Sequence, residues 1–236
     1  MRLKQIQERI NKLGWTLLQQ ETITGLHASN IIRLSVLDEL KKERNVIYKE
    51  FADNRNNEID IYSKILPSLN SFVPVITMWD TAPYAVLMKD LGLSSKKNFE
   101  PLRLESKKAM LTTVLHTLAD LHTNKSINTR TLALATHVIT EEWRDWCYTQ
   151  LNKLPSLNLN WYNPAWIEIV KEDSNVFKLN QYKAKGPFVL THGDPHLDNI
   201  FITSDDSILF SDWEWAALGS PLRDVTILFR MYMMWG

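Results

Sequence analysis

Apolar residues recur at helical spacing at the start of the chain and stop at Gly14: Leu3, Ile6, Ile10 and Leu13. From residue 15 to residue 51 the pattern changes to short runs rich in β-branched and aromatic residues, WTLLQQETI, NIIRLSVL and NVIYKEF. The polar segments TGLHAS and DELKKER separate these runs. The pattern predicts an amphipathic helix followed by an antiparallel meander of three strands.

The segment NNEIDIYSKILPSL returns to helical spacing, and its helix is expected to end at Pro67 because proline lacks the N–H that a helix needs. Two more strand patterns, FVPVIT and YAVLMKD, follow it. The strand signal ends at Asp90-Leu91-Gly92, before the polar stretch SSKKNFE. A boundary at this point divides the chain into an N-terminal lobe, residues 1–90, and a C-terminal lobe, residues 91–236.

Beyond this boundary the pattern is mainly helical. The segment LESKKAMLTTVLHTLADLHT has apolar residues at three- and four-residue steps, and THVITEEWRDWCYTQLNKL and PAWIEIVKEDSNVFKLNQY are further helix candidates. Strand patterns return in GPFVLTHGD and NIFITSDDSILFSDWEW, and PLRDVTILFRMYMMW predicts a final helix.

The composition is that of an ordinary globular protein, because 236 residues, 44% of them hydrophobic, are enough to bury a sizeable core. Twenty-seven basic and twenty-seven acidic residues cancel, so no overall charge favours a nucleic acid or an anionic membrane surface as a partner. The single Cys147 excludes an intrachain disulfide and a four-cysteine zinc site. A charged N-terminus and the lack of a long apolar run predict a cytoplasmic protein with no membrane partner.

The segment THGDPHLDN concentrates the candidate chemistry by placing four possible metal ligands at alternate positions: His192, Asp194, His196 and Asp198. Three interpretations are open, namely a metal site, the active loop of an enzyme, and a polar turn. Pro195 argues against a flat strand face of four ligands, because proline interrupts a strand ladder and bends the chain.

The next segment, NIFITSDDSILFSDW, has apolar residues on both sides of a polar turn, which is typical of a hairpin. A turn centred between Asp205 and Asp206 pairs Asn199 with Asp212, with Cβ atoms about 5 Å apart. Two oxygen ligands at that spacing suit Mg²⁺, which binds one or two protein oxygens together with phosphate and water. A turn whose Asp and Asn side chains bond local backbone groups is the structural alternative.

The spacing of His192-Gly193-Asp194, Asn199 and Ser211-Asp212-Trp213-Glu214 resembles that of the aminoglycoside phosphotransferase and choline kinase family, the small-molecule branch of the protein-kinase-like fold. The resemblance covers roughly residues 15 to 230. It implies a bilobal α+β fold with an N-terminal antiparallel sheet and one helix, and a mainly helical C-terminal lobe that carries a catalytic hairpin.

The resemblance also implies roles for the motif residues. Asp194 is expected to be the catalytic carboxylate, which orients the attacking hydroxyl and accepts its proton, while Asn199 and Asp212 are expected to bind Mg²⁺ beside the nucleotide phosphates. His192 is expected to brace the loop. His196 and Asp198 fall at variable positions of the motif and are expected to be structural or exposed to solvent.

In the N-terminal lobe, the resemblance makes Lys49 on the third strand the residue that binds the α and β phosphates. Glu58 is its expected ion-pair partner, with Asp60 as the competitor. Ser29, in TGLHASN, is expected to bind a terminal phosphate, although an ordinary hairpin turn is the alternative for this loop. Backbone groups from Met88 through Lys89 to Leu91 are expected to bind the adenine at the hinge between the lobes.

Further positions are interpreted through the same resemblance. His122 is expected to pack or brace, and Asp224, at the start of a helix, is expected to tie the loops together. Glu141, Glu142 and Asp145 lie near the expected acceptor site, and they either bind a cationic amine or form a solvated acidic helix face.

The family usually continues for several more helices, which help to build the acceptor pocket. The pocket is therefore completed by residues 125 to 185, is unusually open, or needs a longer chain. The apolar end, Met231 to Trp235, is expected to pack against the core or against a second copy in a homodimer.

The resulting expectation is a phosphotransferase that uses ATP (or GTP) and Mg²⁺ to phosphorylate a hydroxyl of a small molecule, such as an aminoglycoside, choline or a similar amino alcohol. The alternatives are a non-catalytic, kinase-like nucleotide-binding or coat protein, and a metallohydrolase built on the His and Asp residues of THGDPHLDN.

Overall fold

The structure, a computed structural model, describes residues 2–23, 30–51, 57–69, 72–127, 129–130, 134–136, 149, 152–157, 163, 165 and 187–235. Helix α1, Arg2–Lys12, is the predicted opening helix. It is followed by a five-stranded antiparallel sheet in the order β1-β2-β3-β5-β4: Thr16–Ile23 (β1), Asn30–Leu37 (β2), Glu43–Glu50 (β3), Val75–Trp79 (β4) and Ala85–Lys89 (β5). The predicted meander of β1, β2 and β3 is confirmed.

The two faces of this sheet bury different sets of side chains, because alternate residues of a strand point to opposite faces. One face packs against α1 through a buried apolar cluster: Ile6, Ile10, Ile32, Leu34, Val36, Val46, Tyr48, Ala85 and Leu87. The other face carries Ile47, Lys49, Val86 and Met88, which alternate with those residues. We call this second face the cleft face of the sheet.

Helix α2, Asn57–Leu69, runs past Pro67, so the expectation that it ends at Pro67 is wrong. A proline beyond the first turn of a helix removes the N–H that would bond the carbonyl four residues earlier, which destabilises the helix locally. The fully buried Leu69 offsets this cost, and its carbonyl accepts the Phe72 N–H at 2.8 Å. Burial in the core therefore overrides the local stop signal.

After the sheet, helix α3, Ser95–Phe99, and helix α4, Leu104–Thr123, follow each other closely, and α4 begins and ends as predicted. The later part contains a 3-10 helix, Leu154–Leu157, four short strands and a helix: Val189–Thr191 (β6), Ile200–Ile202 (β7), Ile208–Phe210 (β8), Ala217–Gly219 (β9) and Leu222–Trp235 (α5). Strand β6 pairs with β9 and β7 pairs with β8, both antiparallel. The helices predicted in residues 136–154 and 164–182 lie almost wholly outside the described residues.

A second buried cluster joins the two parts of the chain. It contains residues of α2, the cleft face of the sheet, α4 and the strands β6 to β8, including Tyr62, Val86, Leu118, Leu190 and Phe210.

The predicted division at residue 90 falls just after the end of β5 and stays a prediction. No helix in the described part of the chain is long and apolar enough to cross a membrane. The side chains of residues 231 to 235 lie outside those described.

Candidate active site

Three charged side chains from distant parts of the chain meet beside the cleft face of the sheet. The Nζ atom of Lys49, on β3, lies 2.6 Å from Glu58 Oε2, on α2, and 3.0 Å from Asp212 Oδ1, just after β8. Lys49 and Glu58 are buried, whereas the side chain of Asp212 is 39% exposed. The expected pair of Lys49 with Glu58 is present, while Asp60 instead contacts Lys64.

The two carboxylates keep Lys49 charged in this buried position. Burial alone would lower the pKa of Lys49, but the charges of Glu58 and Asp212 outweigh it and raise the pKa above its ordinary value. A fixed ammonium that faces an accessible carboxylate suits the binding of a phosphate and its cation.

The loop that follows β6 turns sharply at Gly193. Its φ of +89° is one that side chains rarely adopt, and an added Cβ would lie 2.2 Å from the Trp215 carbonyl oxygen. The Asp194 carbonyl then accepts the His196 N–H at 2.8 Å, and the His196 carbonyl accepts the Asn199 N–H at 2.8 Å. This tight turn presents the Asp194 side chain, which is about one third exposed.

Asp224, at the start of α5, fixes the base of the loop. Its fully buried carboxylate accepts the backbone N–H groups of His192 at 2.9 Å and of Gly193 at 2.8 Å, and it accepts Nε2–H of His122 at 2.9 Å. The carboxylate therefore ties β6, α4 and α5 together, as expected for a residue that holds the loops.

Replacement of Asp224 by asparagine should lower the free energy of unfolding by roughly 2 to 4 kcal/mol, because an amide group cannot accept all three of these hydrogen bonds. Urea unfolding followed by tryptophan fluorescence measures the change. Asp120→Asn, on the exposed face of α4, makes the same change in charge and should unfold near the wild-type midpoint. Equal midpoints for the Asp224 variant and the wild type would contradict the role of Asp224.

His192 braces the loop through both ring nitrogens. Its Nε2–H donates to the Ser211 carbonyl at 2.9 Å, and its Nδ1 accepts the Asp194 N–H at 3.2 Å. Burial lowers the pKa of His192, which is consistent with this neutral form. Since neither nitrogen is left for a metal, the four-ligand metal site is wrong for this loop.

The hairpin register differs by one position from the expected one. Three residues, 204 to 206, form the loop, and the pairing of Ile202 with Ile208 places Asn199 opposite Ser211 instead of Asp212. Asp205 closes this longer loop by accepting hydrogen bonds from the hydroxyls of Thr203 and Ser207. The expected pairing of Asn199 with Asp212 is therefore wrong, because the turn contains three residues instead of two.

Asp212 nevertheless faces the site, because it follows Ser211 with a left-handed φ of +64° and reaches Lys49. Asn199 donates Nδ2–H to the Asp194 carbonyl at 3.1 Å, so the side-chain oxygen of Asn199 remains available for a ligand. One carboxylate and one amide oxygen form a donor set that fits Mg²⁺.

Two side chains beside this loop, those of His196 and Arg223, have contacts that the motif alone does not indicate. Nε2 of His196 lies 3.3 Å from Asp194 Oδ2 and 3.2 Å from Asn199 Nδ2, although the motif suggests a variable position. Burial alone would lower the pKa of His196, but Asp194 and nearby carboxylates outweigh it and raise the pKa. Arg223 Nη1 donates to Thr191 Oγ1 at 3.0 Å and to the Trp215 carbonyl at 3.1 Å. The spacing of two residues between Asp194 and His196 in a tight turn is the sequence feature that could have predicted their contact.

The expected hinge residues lie at the end of β5. Met88 is buried on the cleft face, whereas the Lys89 side chain is exposed on the opposite face, so that only the Lys89 backbone can serve a ligand in the cleft. Leu91 follows, and its binding role stays a prediction. Ser29, Glu141, Glu142 and Asp145 lie outside the described residues.

Solved structures share this fold at low sequence identity. Spectinomycin phosphotransferase in complex with ADP and spectinomycin is 13% identical to this chain, with a TM-score of 0.61, and the match covers 95% of this chain and 72% of the phosphotransferase chain. A choline kinase from Streptococcus pneumoniae is 16% identical and covers 98% and 75%, with a TM-score of 0.63. The GDP and kanamycin complex of APH(2")-IIia is 11% identical and covers 99% and 82%, with a TM-score of 0.64.

A comparison with curated protein sequences gives no match. The family model described as the phosphotransferase enzyme family, in contrast, matches residues 68–236, which include the THGDPHLDN loop and the hairpin. This match covers most of the sequence, and the neighbouring structures have the kinase-like fold expected from it. The chain therefore belongs to the phosphotransferase enzyme family.

Proposed function

We propose that the chain is a kinase that transfers the γ-phosphoryl group of ATP, with Mg²⁺, to a hydroxyl group of a small molecule. The observation that carries this proposal is the convergence of Lys49, Glu58 and Asp212 beside the loop that presents Asp194 and Asn199. Phosphoryl transfer asks a protein mainly for positioning and for neutralisation of charge, and these side chains can supply both.

Each side chain has a distinct part in the proposed reaction. Lys49, fixed by Glu58, binds oxygens of the nucleotide phosphates, while Asn199 and Asp212 would hold Mg²⁺, which neutralises phosphate charge when it is bound. Asp194 accepts the proton of the acceptor hydroxyl as the hydroxyl oxygen forms its bond to the γ-phosphorus. The bond between the γ-phosphorus and the bridging oxygen breaks at the same stage, and ADP leaves.

The proposed acceptors are aminoglycosides, choline and similar amino alcohols. Support comes from neighbours that are described as a spectinomycin phosphotransferase, a choline kinase and a kanamycin complex. One of these structures contains ADP and another GDP, so both ATP and GTP belong in the test as phosphoryl donors.

A coupled assay of ADP or GDP release tests the proposal. The purified protein is incubated with Mg²⁺, with ATP or GTP, and in turn with amino sugars, macrolides, choline-like alcohols and amino-acid alcohols. We expect release that depends on one class of acceptor and a product that carries a phosphate ester. Thermal stabilisation by the magnesium nucleotide without transfer to any alcohol would instead favour a non-catalytic, nucleotide-binding protein.

A further inference from the structure

Arg33 is the charged residue of β2 that points to the cleft face of the sheet. Its neighbours Ile32 and Leu34 point to the opposite face, where they pack into the cluster beneath α1. In the strand register Arg33 lies opposite Ile47, and Ile31 lies opposite Lys49. Arg33 and Lys49 therefore share one face of the sheet, with Arg33 displaced toward the end of β5.

The proposed nucleotide site has a phosphate end and a base end along this face. Lys49 and Asp212 mark the phosphate end. Ile47, two residues away along β3, lies about 7 Å farther toward the hinge, and Met88 is its partner on β5. A nucleotide with its phosphates at Lys49 therefore places its base beneath Ile47 and Arg33.

The Arg33 side chain is held across this base end. Its Nε lies 2.6 Å from Asp90 Oδ2, and the Asp90 side chain is only 10% exposed. Asp90 is itself fixed, because its Oδ1 accepts the Gly92 N–H at 2.9 Å and its own N–H donates to the Asn45 carbonyl at 3.3 Å. The side chain thus runs from β2 past β3 to the hinge.

A guanidinium group fixed in this way can stack on a flat ring, since it is planar and weakly hydrated. We propose that Arg33, held by Asp90, forms the roof of the nucleobase site and stacks on the base of the bound nucleotide. This inference rests on the proposed function, and it assigns base recognition to a pair of residues that the catalytic motif does not include.

A second ion pair in the same sheet provides a matched control. Arg44 Nε lies 2.6 Å from Asp38 Oδ2, with side-chain exposures of 50% and 8% against 36% and 10% for Arg33 and Asp90. Arg44 precedes Asn45 and Val46 on β3 and shares the face of Val46, opposite the cleft. Arg44→Ala therefore removes a comparable ion pair on the opposite face of the sheet, while Arg33 has a second, longer contact, from Nη1 to the exposed Glu21 Oε2 at 3.5 Å.

The test measures binding of MgADP and of magnesium tripolyphosphate, which has no base, by calorimetry to the wild type, Arg33→Ala, Arg33→Lys and Arg44→Ala. We expect both Arg33 variants to bind MgADP about tenfold more weakly, because lysine keeps the charge but loses the planar group. Tripolyphosphate binding should be unchanged in both, and Arg44→Ala should bind both ligands like the wild type.

Three results would overturn the inference alone: wild-type MgADP affinity in Arg33→Ala, full recovery in Arg33→Lys, or an equal loss for tripolyphosphate in both Arg33 variants. Recovery by lysine or an equal loss for tripolyphosphate would indicate a charge contact with phosphate. A wild-type protein that binds neither MgADP nor tripolyphosphate would overturn the proposed function together with this inference.

Discussion

Replacement of Asp194 by asparagine is expected to lower kcat for phosphoryl transfer by roughly 100- to 10,000-fold, because a positioned proton acceptor contributes about that much to the rate. Nucleotide binding should stay close to the wild-type value, since Lys49, Glu58 and Asp212 are untouched. The measurement is the steady-state rate of ADP release with an accepted alcohol, together with the MgADP dissociation constant.

Asp198→Asn is the matched control for this experiment. Asp198 lies in the same turn and loses the same charge, but its carboxylate contacts Lys96 on α3. We expect this variant to keep most of the wild-type kcat. A wild-type kcat in Asp194→Asn, or an equal loss of kcat in both variants, would contradict the role of Asp194 as the proton acceptor.

Replacement of Asp212 by asparagine is expected to raise the concentration of Mg²⁺ needed for half-maximal ADP binding by at least about tenfold, since the charged oxygen of the donor set is lost. Asparagine is chosen because it tolerates the left-handed conformation of Asp212 better than alanine does. Titration of Mg²⁺ at fixed ADP measures the effect, and kcat/KM for the nucleotide should fall with it.

Asp206→Asn is the control for the effect of placing asparagine at a residue with a left-handed backbone conformation. Asp206 belongs to the same hairpin, has a φ of +61° against +64° for Asp212, and is exposed away from Lys49. We expect its Mg²⁺ dependence to match that of the wild type. A Mg²⁺ requirement that is unchanged in Asp212→Asn would place the cation elsewhere.

The long elements could be predicted from the sequence because their patterns repeat over several turns or pairs. Helix α4 is an example, since Val114, Leu118 and Leu121 recur at helical spacing and are all buried. The short strands β6, β7 and β8 also lie within predicted strand segments, but β9 does not. The three residues of β9 become a strand through pairing with β6, which lies more than twenty residues earlier, and Leu218 also forms a bridge with Thr136.

The motif spacing identifies the parts of the site but not their geometry. Lys49 pairs with Glu58 and Asp224 ties the loops together, as the resemblance implies, whereas the hairpin register depends on how Asp205 binds Thr203 and Ser207. The contacts of His196 and the pair of Arg33 with Asp90 depend on tertiary placement, which no local pattern encodes. The sequence therefore predicts which residues contribute charged side chains to the site, whereas the contacts between those side chains become known only from the fold.

The buried cluster that joins α2 to α4 and to β6 through β8 also limits how the cleft can open. Tyr62 and Ile65 on α2 are fully buried in the same cluster as Leu118 and Phe210. Separating α2 from the C-terminal elements would expose this apolar surface to water, at a cost that rises with its area. Ligand entry is therefore expected to leave α2 and the Lys49 side chain that pairs with it in place, and heating should melt both parts of the chain in one cooperative transition.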